Sequence, residues 1–147
     1  VFDGYFDTDN GEVFTSDGYF RTGDLVEICG DPPLFYRIAG RCKDIINRGG
    51  MKISPAEIDV LLEALPGVAE AAVCSYPDEK LGERVCACLV MASEVDKLSL
   101  DDVVGYLIDK GLAKFKLPER VSFFDALPRN PLGKIQRFLL QAQIGKD

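Results

Sequence analysis

The 147-residue sequence has no histidine and no tryptophan. Without histidine, neither a Ser-His-Asp nor a Cys-His nucleophile system can be built from this chain. Its five cysteines, Cys29, Cys42, Cys74, Cys86 and Cys88, are odd in number and contain no C-x-x-C pair. A zinc site is therefore not expected, and no metal-ligating residues are assigned. Positive charge is also scarce: 17 Lys and Arg stand against 24 Asp and Glu, a net charge of −7. Nucleic-acid binders need a basic face to neutralise phosphates, so a nucleic-acid partner is not expected. No apolar run approaches the ~20 residues that a membrane-spanning helix requires. Neither a secretory signal nor a lipidation motif is legible. Cysteines reading as reduced thiols suit a cytoplasmic location.

What is present suffices for an ordinary core, since 47% of residues are hydrophobic. Residues 1 to about 40 read as short strands and tight turns, with turn signals at Asp9-Asn10-Gly11, Ser16-Asp17-Gly18 and Gly30-Asp31-Pro32-Pro33. Strands are expected over Leu25–Ile28 and Leu34–Ala39. This segment offers few apolar positions and no helix to pack against, so it reads as the edge of a larger domain.

From Asp44 the pattern is richer. Asp44 to Ile53 reads as a short hairpin turning at Arg48-Gly49-Gly50. Ser54-Pro55-Ala56-Glu57 has the form of a capping box with proline at the first helical position, which gives Glu57 a structural role. The helix behind it carries Ile58, Leu61, Leu62 and Leu65 on one face. Val68–Tyr76 and Val85–Met91 read as central strands, with Cys86 and Cys88 on one face as buried small residues. Ser99 caps a second helix with the stripe Leu100, Val103, Val104, Leu107 and Ile108. Arg120–Phe124 is a third strand, and Ile135, Phe138, Leu139 and Ala142 form a last helical stripe. Strands and helices mix without strict alternation. The expected class is α+β: a roughly three-stranded sheet flanked by helices and a short hairpin, preceded by a β-rich remnant.

Lys134 is the leading candidate for chemistry. It follows Gly133, yet a Walker phosphate loop is ruled out, because Ile135 stands where Ser or Thr is needed and Pro128 where the first glycine belongs. By itself it reads as a solvated lysine in a turn. The turn, however, is stiffened by Pro128, Pro131 and Gly133, which lowers the entropy lost when the side chain is fixed. Asp24, in Thr22-Gly23-Asp24, is an ordinary turn residue in isolation, but an ionised carboxylate is suited to accept two hydrogen bonds from a diol.

Taken together, three motifs resemble the C-terminal end of the adenylate-forming enzymes, the superfamily of acyl-CoA synthetases, aryl-acid–AMP ligases and peptide-synthetase adenylation domains. They are Tyr19-Phe20-Arg21-Thr22-Gly23-Asp24, Gly40-Arg41-Cys42-Lys43-Asp44 and Pro128 through Gly133-Lys134 to Arg137. The resemblance implies a catalytic Lys134 that bridges the substrate carboxylate and the nucleotide. It implies ribose binding by Asp24 and Arg41, a structural Arg21, and a hinge at Lys43. It further implies a hairpin, with Gly49, Gly50 and Lys52, that approaches a pantetheine arm in the thioester half-reaction. The cofactors implied are ATP, CoA and Mg2+. No triphosphate loop ending in Pro-Lys-Gly and no Tyr-Gly-x-Thr-Glu segment occurs here. The expectation is therefore residues 1–41 as the end of an N-terminal AMP-binding domain and 42–147 as a C-terminal mobile lid, with Mg2+ held mainly elsewhere. The expected parent activity is ATP-dependent carboxylic acid–CoA ligation, the partners being a small carboxylic acid and CoA. The alternatives are an aryl-acid–AMP ligase loading the pantetheine of a carrier protein, or a non-catalytic folded module. The fragment alone is expected to be inactive and to self-associate through its orphaned strands.

Overall fold

In residues 71–75 and 85–89 every side chain is buried, odd and even positions alike, so this sheet must be covered on both faces. The computed structural model describes residues 11–32, 34–93 and 95–145. Asp9 and Asn10 of the turn expected at Asp9-Asn10-Gly11, and Pro33 of the turn at Gly30, lie outside the described residues. The chain divides into two compact units, ending and beginning at Lys43 and Asp44.

The first unit holds an antiparallel pair, β1 (Asp24–Cys29) and β2 (Phe35–Arg41). Before it, Phe14 bridges Phe20 around the turn at Gly18, where the Gly18 amide donates to the Thr15 carbonyl at 3.0 Å. The amide of Arg21 donates to the Val13 carbonyl at 2.8 Å. Val26, Ile28, Leu34, Phe35, Tyr36 and Ile38 are all exposed within this unit, Ile38 at 72%. Two strands alone cannot cover such side chains.

In the second unit a 3-10 turn (Cys42–Asp44, shared with the first) leads into β3 (Ile46–Arg48) and β4 (Met51–Ile53), then α1 (Pro55–Glu63). After it come β5 (Val68–Asp78), β6 (Gly82–Met91), α2 (Leu100–Asp109), β7 (Arg120–Phe123) and α3 (Arg137–Ile144). The sheet order is β4-β3-β6-β5, with β7 parallel to β6. The three expected strands thus become five, because the hairpin joins the sheet through the Arg48–Gly82 pairing. The class is α+β, as expected.

Period-two alternation sorts the side chains of β5 and β6. Ala71, Val73, Val85, Ala87 and Leu89 pack with Ile58 and Leu62 of α1 and Val103 and Leu107 of α2. Ala72, Cys74, Cys86 and Cys88 pack with Leu127 and with Leu140 and Ile144 of α3. All five cysteines are free thiols, and the Cys74 and Cys88 sulfurs touch at 3.5 Å. No helix among the described residues is long and apolar enough to cross a membrane.

Three local expectations need correction. Ser54 is the N-cap of α1 with Pro55 behind it, but its side chain makes no capping bond. Glu57 instead accepts from the Lys116 ammonium at 2.8 and 2.6 Å, a tertiary ion pair that outcompetes the local box. A true capping box forms at α2, between Ser99 and Asp102. On α2, Ile108 is 46% exposed, since Val103 and Leu107 already fill the inward face. On α3 the stripe is shifted: Phe138 is 61% exposed and Ala142 exposed, whereas Leu140 and Ile144 are buried. The helix starts only at Arg137, after Ile135 has paired with Arg129. Its inward face is Leu140 and Ile144 with half-buried Arg137, and the exposed Gln141 reaches back to Ser75, polar contacts that an apolar pattern cannot reveal.

Candidate functional site

Lys134 sits on a loop that closes on itself. Arg129 bridges Ile135, and the Asn130 amide donates to the Lys134 carbonyl at 2.9 Å. The Asn130 side-chain oxygen accepts from the amides of Leu132 at 3.0 Å and Lys134 at 2.9 Å, a side-chain turn of the kind asparagine favours. Gly133 has φ +80°, a conformation that L side chains rarely adopt, and its carbonyl accepts from the Arg129 guanidinium at 2.7 Å. Arg129 also pairs with Glu70 at the start of β5. The backbone of the loop is therefore fixed from both sides. The side chain of Lys134 is exposed, and its ammonium has no carboxylate partner among the described residues. Sequence reasoning credited Pro128, Pro131 and Gly133 with this stiffness. Asn130 and Arg129 contribute most of the bonds.

Arg137 closes the motif from within. Its guanidinium pairs with Asp59 of α1 at 2.5 Å and donates to the Val73 carbonyl at 2.6 Å, while the Val73 amide donates to Asp59 at 2.7 Å. β5 is an edge strand, so these outward-facing backbone groups need partners other than a further strand. The ion pair supplies both and pins α3 to α1 across the edge. Burial pushes the Asp59 carboxyl above its ordinary value, against the opposing pull of Arg137.

The hairpin turns at Gly49 and Gly50, with φ of +55° and +89°. Positive φ at both central residues is the two-residue turn that matches strand twist. The two glycines are not equivalent. A side chain at Gly49 would meet Leu81 at 3.1 Å, whereas nothing lies within 4 Å of a Cβ at Gly50. Gly50 alone faces open space, beside the exposed Lys52. Arg48 points elsewhere: it donates to Glu119 at 2.7 and 3.2 Å, and Arg84 reaches the same carboxylate at 3.3 Å while pairing with Asp78. The Arg48 hydrogen bonds hold the Glu119 carboxyl below its ordinary value.

The loop and the hairpin stand at opposite ends of the sheet. Arg129 ties the loop to Glu70, near one end of β5, and the hairpin pairs with Gly82, which faces Asp78 at the other. At ~3.3 Å per residue those anchors are roughly 25 Å apart.

In the first unit, Asp24 and Arg41 are cross-strand partners, and Arg41 Nε donates to Asp24 Oδ1 at 2.8 Å. The Thr22 hydroxyl accepts from the Asp24 amide at 3.1 Å. The Arg41 hydrogen bond holds the Asp24 carboxyl below its ordinary value, so it is fully ionised at neutral pH. A carboxylate has about four acceptor positions, enough to take hydroxyl groups in addition to Arg41. Lys43, exposed, lies in the 3-10 turn at which the two units meet. No group of three or more His, Cys, Asp or Glu is placed to hold a metal ion among the described residues.

Comparison with known proteins places the chain as a whole. Over 145 residues the chain is 41% identical to the 2-hydroxy-7-methoxy-5-methyl-1-naphthoate–CoA ligase of Streptomyces carzinostaticus, covering 97% of this chain and 25% of that protein. It is 37% identical to the 2,3-dihydroxybenzoate-AMP ligase of Bacillus subtilis, covering 97% of this chain and 26% of that one. The ATP-bound crystal structure of MatB from Rhodopseudomonas palustris superposes with a TM-score of 0.86 at 37% identity, over 99% of this chain and 28% of that chain. The chain thus spans about a quarter of the length of the curated relatives it matches. Residues 57–134 match the family described as the AMP-binding enzyme C-terminal domain, and the chain belongs to that family.

Proposed function

We propose that this chain works as the C-terminal portion of an ATP-dependent carboxylic acid–CoA ligase, which activates the acid as an adenylate and then forms a thioester. The observation that carries this reading is the free Lys134 ammonium on a loop whose backbone Asn130 and Arg129 hold in place. A fixed cation of that kind is suited to charge that builds on a reacting carboxylate and phosphate, because the cost of ordering it is met in advance. Asp24 supplies the complementary chemistry for ATP: its carboxylate accepts from ribose hydroxyls, and Arg41 keeps it ionised and aimed. CoA calls for a narrow approach, and Gly50 with Lys52 offers backbone without a Cβ beside a cation for phosphate. Mg2+ in this reading is held mainly by residues outside these 147.

Anchors roughly 25 Å apart cannot serve one reaction centre in a single pose. In this reading residues 42–147 form a mobile lid that turns at Lys43 relative to the nucleotide-binding end of residues 1–41. One pose presents Lys134 for adenylation and the other presents Gly50 for the thiol. The thiol acceptor is CoA in the preferred reading. A carrier-protein pantetheine is the second, favoured by the similarity to an aryl-acid–AMP ligase.

The test is acid-dependent ATP–pyrophosphate exchange by the longer enzyme across aromatic, alicyclic and fatty acids, followed by thioester formation with CoA or a pantetheinylated carrier. Exchange with one class of acid supports the reading; exchange with none overturns it. The 147 residues alone are expected to give no exchange, because their sequence holds no triphosphate loop ending in Pro-Lys-Gly, and clear turnover by them would sink that expectation. They are also expected to self-associate through the exposed apolar β1–β2 pair. Sedimentation across a range of concentrations checks this, and a monomer at every concentration would count against it.

A further inference from the structure

The hairpin that carries Gly50 is short, three residues on each side, and touches the main sheet by a single residue pairing, Arg48 with Gly82. The Gly49 amide adds one bond to the Leu81 carbonyl at 2.8 Å. Ile46 and Ile53 are buried in the core and fix the base of the ribbon, but so few ladder bonds leave its turn end to be held by other contacts. Two carboxylates from outside the hairpin take hold of its first strand at consecutive residues. Glu83 of β6 accepts the Asn47 backbone amide at 2.6 Å with one oxygen and the Ser75 hydroxyl at 2.7 Å with the other. Ser75 is buried and accepts in turn from Gln141 of α3 at 2.9 Å. Glu119, just before β7, accepts both nitrogens of the Arg48 fork and also meets Arg84. Its own backbone amide donates to the Val85 carbonyl at 2.9 Å, so it is anchored to the sheet that it braces. Each carboxylate joins the hairpin to a different part of the rigid core, and each bond is charge-assisted.

We propose that Glu83 and Glu119 are positioning residues which fix the Gly49–Gly50 hairpin against β6 and thereby set the rate of the thiol-dependent half-reaction, without entering adenylation. The proposal rests on the reading of the hairpin given under Proposed function. It assigns neither residue to substrate contact. Both act through the hairpin, and neither is bonded to the Lys134 loop at the other end of β5.

The experiment compares Glu119→Gln and Glu83→Gln with wild type in the longer enzyme. Acid-dependent pyrophosphate exchange reads the first half-reaction, and transfer from preformed adenylate to CoA reads the second. Exchange is expected to stay within about twofold of wild type while thioester formation falls roughly 10- to 100-fold, the usual cost of misplacing a supporting element by an ångström. Equal loss in both half-reactions, or no loss in either, overturns the proposal. Amide hydrogen exchange on the 147-residue chain gives a readout that does not depend on activity. Residues 46–53 are expected to exchange faster in both variants with β5 unchanged, and unaltered protection there overturns the clamp itself. A wild-type enzyme that adenylates no acid defeats the proposed function and the catalytic half of this inference together. A wild type competent in both steps, with variants that match it, defeats this inference alone.

Discussion

Lys134→Ala in the longer enzyme is expected to slow acid-dependent adenylation about a thousandfold while leaving the fold intact. An ammonium ~4 Å from a developing negative charge, at an effective dielectric of ~20, is attracted by about 4 kcal/mol. If that attraction is realised only in the transition state, it corresponds to roughly three powers of ten in rate. Structural cost is small because the side chain is exposed and bonds to no carboxylate among the described residues. The bonds that shape the loop come from the Lys134 backbone and from Asn130, Arg129 and Gly133, none of which the substitution removes. Pyrophosphate exchange measures the loss, and urea unfolding checks the fold. Full exchange in the variant would remove Lys134 from the chemistry. Thioester formation from preformed adenylate should be spared, since the loop and the hairpin stand at opposite ends of β5.

The second large effect is on stability. Arg137→Ala is expected to destabilise the folded chain by about 3 kcal/mol at neutral pH, the lower range for breaking a buried ion pair. Both side chains are mostly buried, at 21% exposure for Arg137 and 14% for Asp59. The substitution leaves an uncompensated carboxylate and deprives the Val73 carbonyl of its donor on the edge of the sheet. The pH dependence has a definite sign. Burial already holds the Asp59 carboxyl above its ordinary value, and loss of Arg137 raises it further. A carboxyl whose folded value is raised favours the fold when protonated, and that contribution disappears as pH rises through the folded value. The deficit of the variant should therefore be smaller in mild acid, near pH ~5, than near pH ~8. Urea midpoints at both values measure it. An equal deficit at the two, or none, would mean that the pair contributes little.

This second prediction was not available from the pattern of the sequence. Arg137 closes a motif whose lysine draws the attention, and Asp59 sits in the middle of an amphipathic helix, where it reads as a solvated residue. Only the placement of β5 at the sheet edge gives both of them something to do. The shifted stripe of α3 has the same origin. Phe138 is the larger apolar side chain and by composition belongs inside, yet Arg137 turns inward to Val73 and Asp59 and Gln141 bonds to Ser75, which sets the rotation of the helix. Glu57 also chose a distant partner, Lys116, over the local cap that its spacing suggested. In each case a polar side chain was claimed by a group far away in the chain, and such competition leaves no local trace.

Other features were legible because their causes are local. The hairpin at Gly49–Gly50, proline at the start of α1, the Ser99 cap of α2 and the alternation of β5 and β6 all follow from backbone geometry or from burial of one face. Period-two burial alone put Cys86 and Cys88 together, although it gave no sign that Cys74 would join them.

By itself the sequence determined the α+β class, the order of the elements and the residues on which the chemistry is proposed to rest: Lys134, Asp24, Arg41 and the two glycines of the hairpin. Each reads as an ordinary turn residue in isolation, and it is the resemblance carried by the three motifs together that singles them out. The tertiary structure decided how they are held and how far apart they lie. It paired Asp24 with Arg41, gave the hairpin to Glu83 and Glu119, and set the Lys134 loop and Gly50 at opposite ends of one sheet. Distances across a sheet come from strand pairing between residues remote in sequence, and no local pattern encodes them.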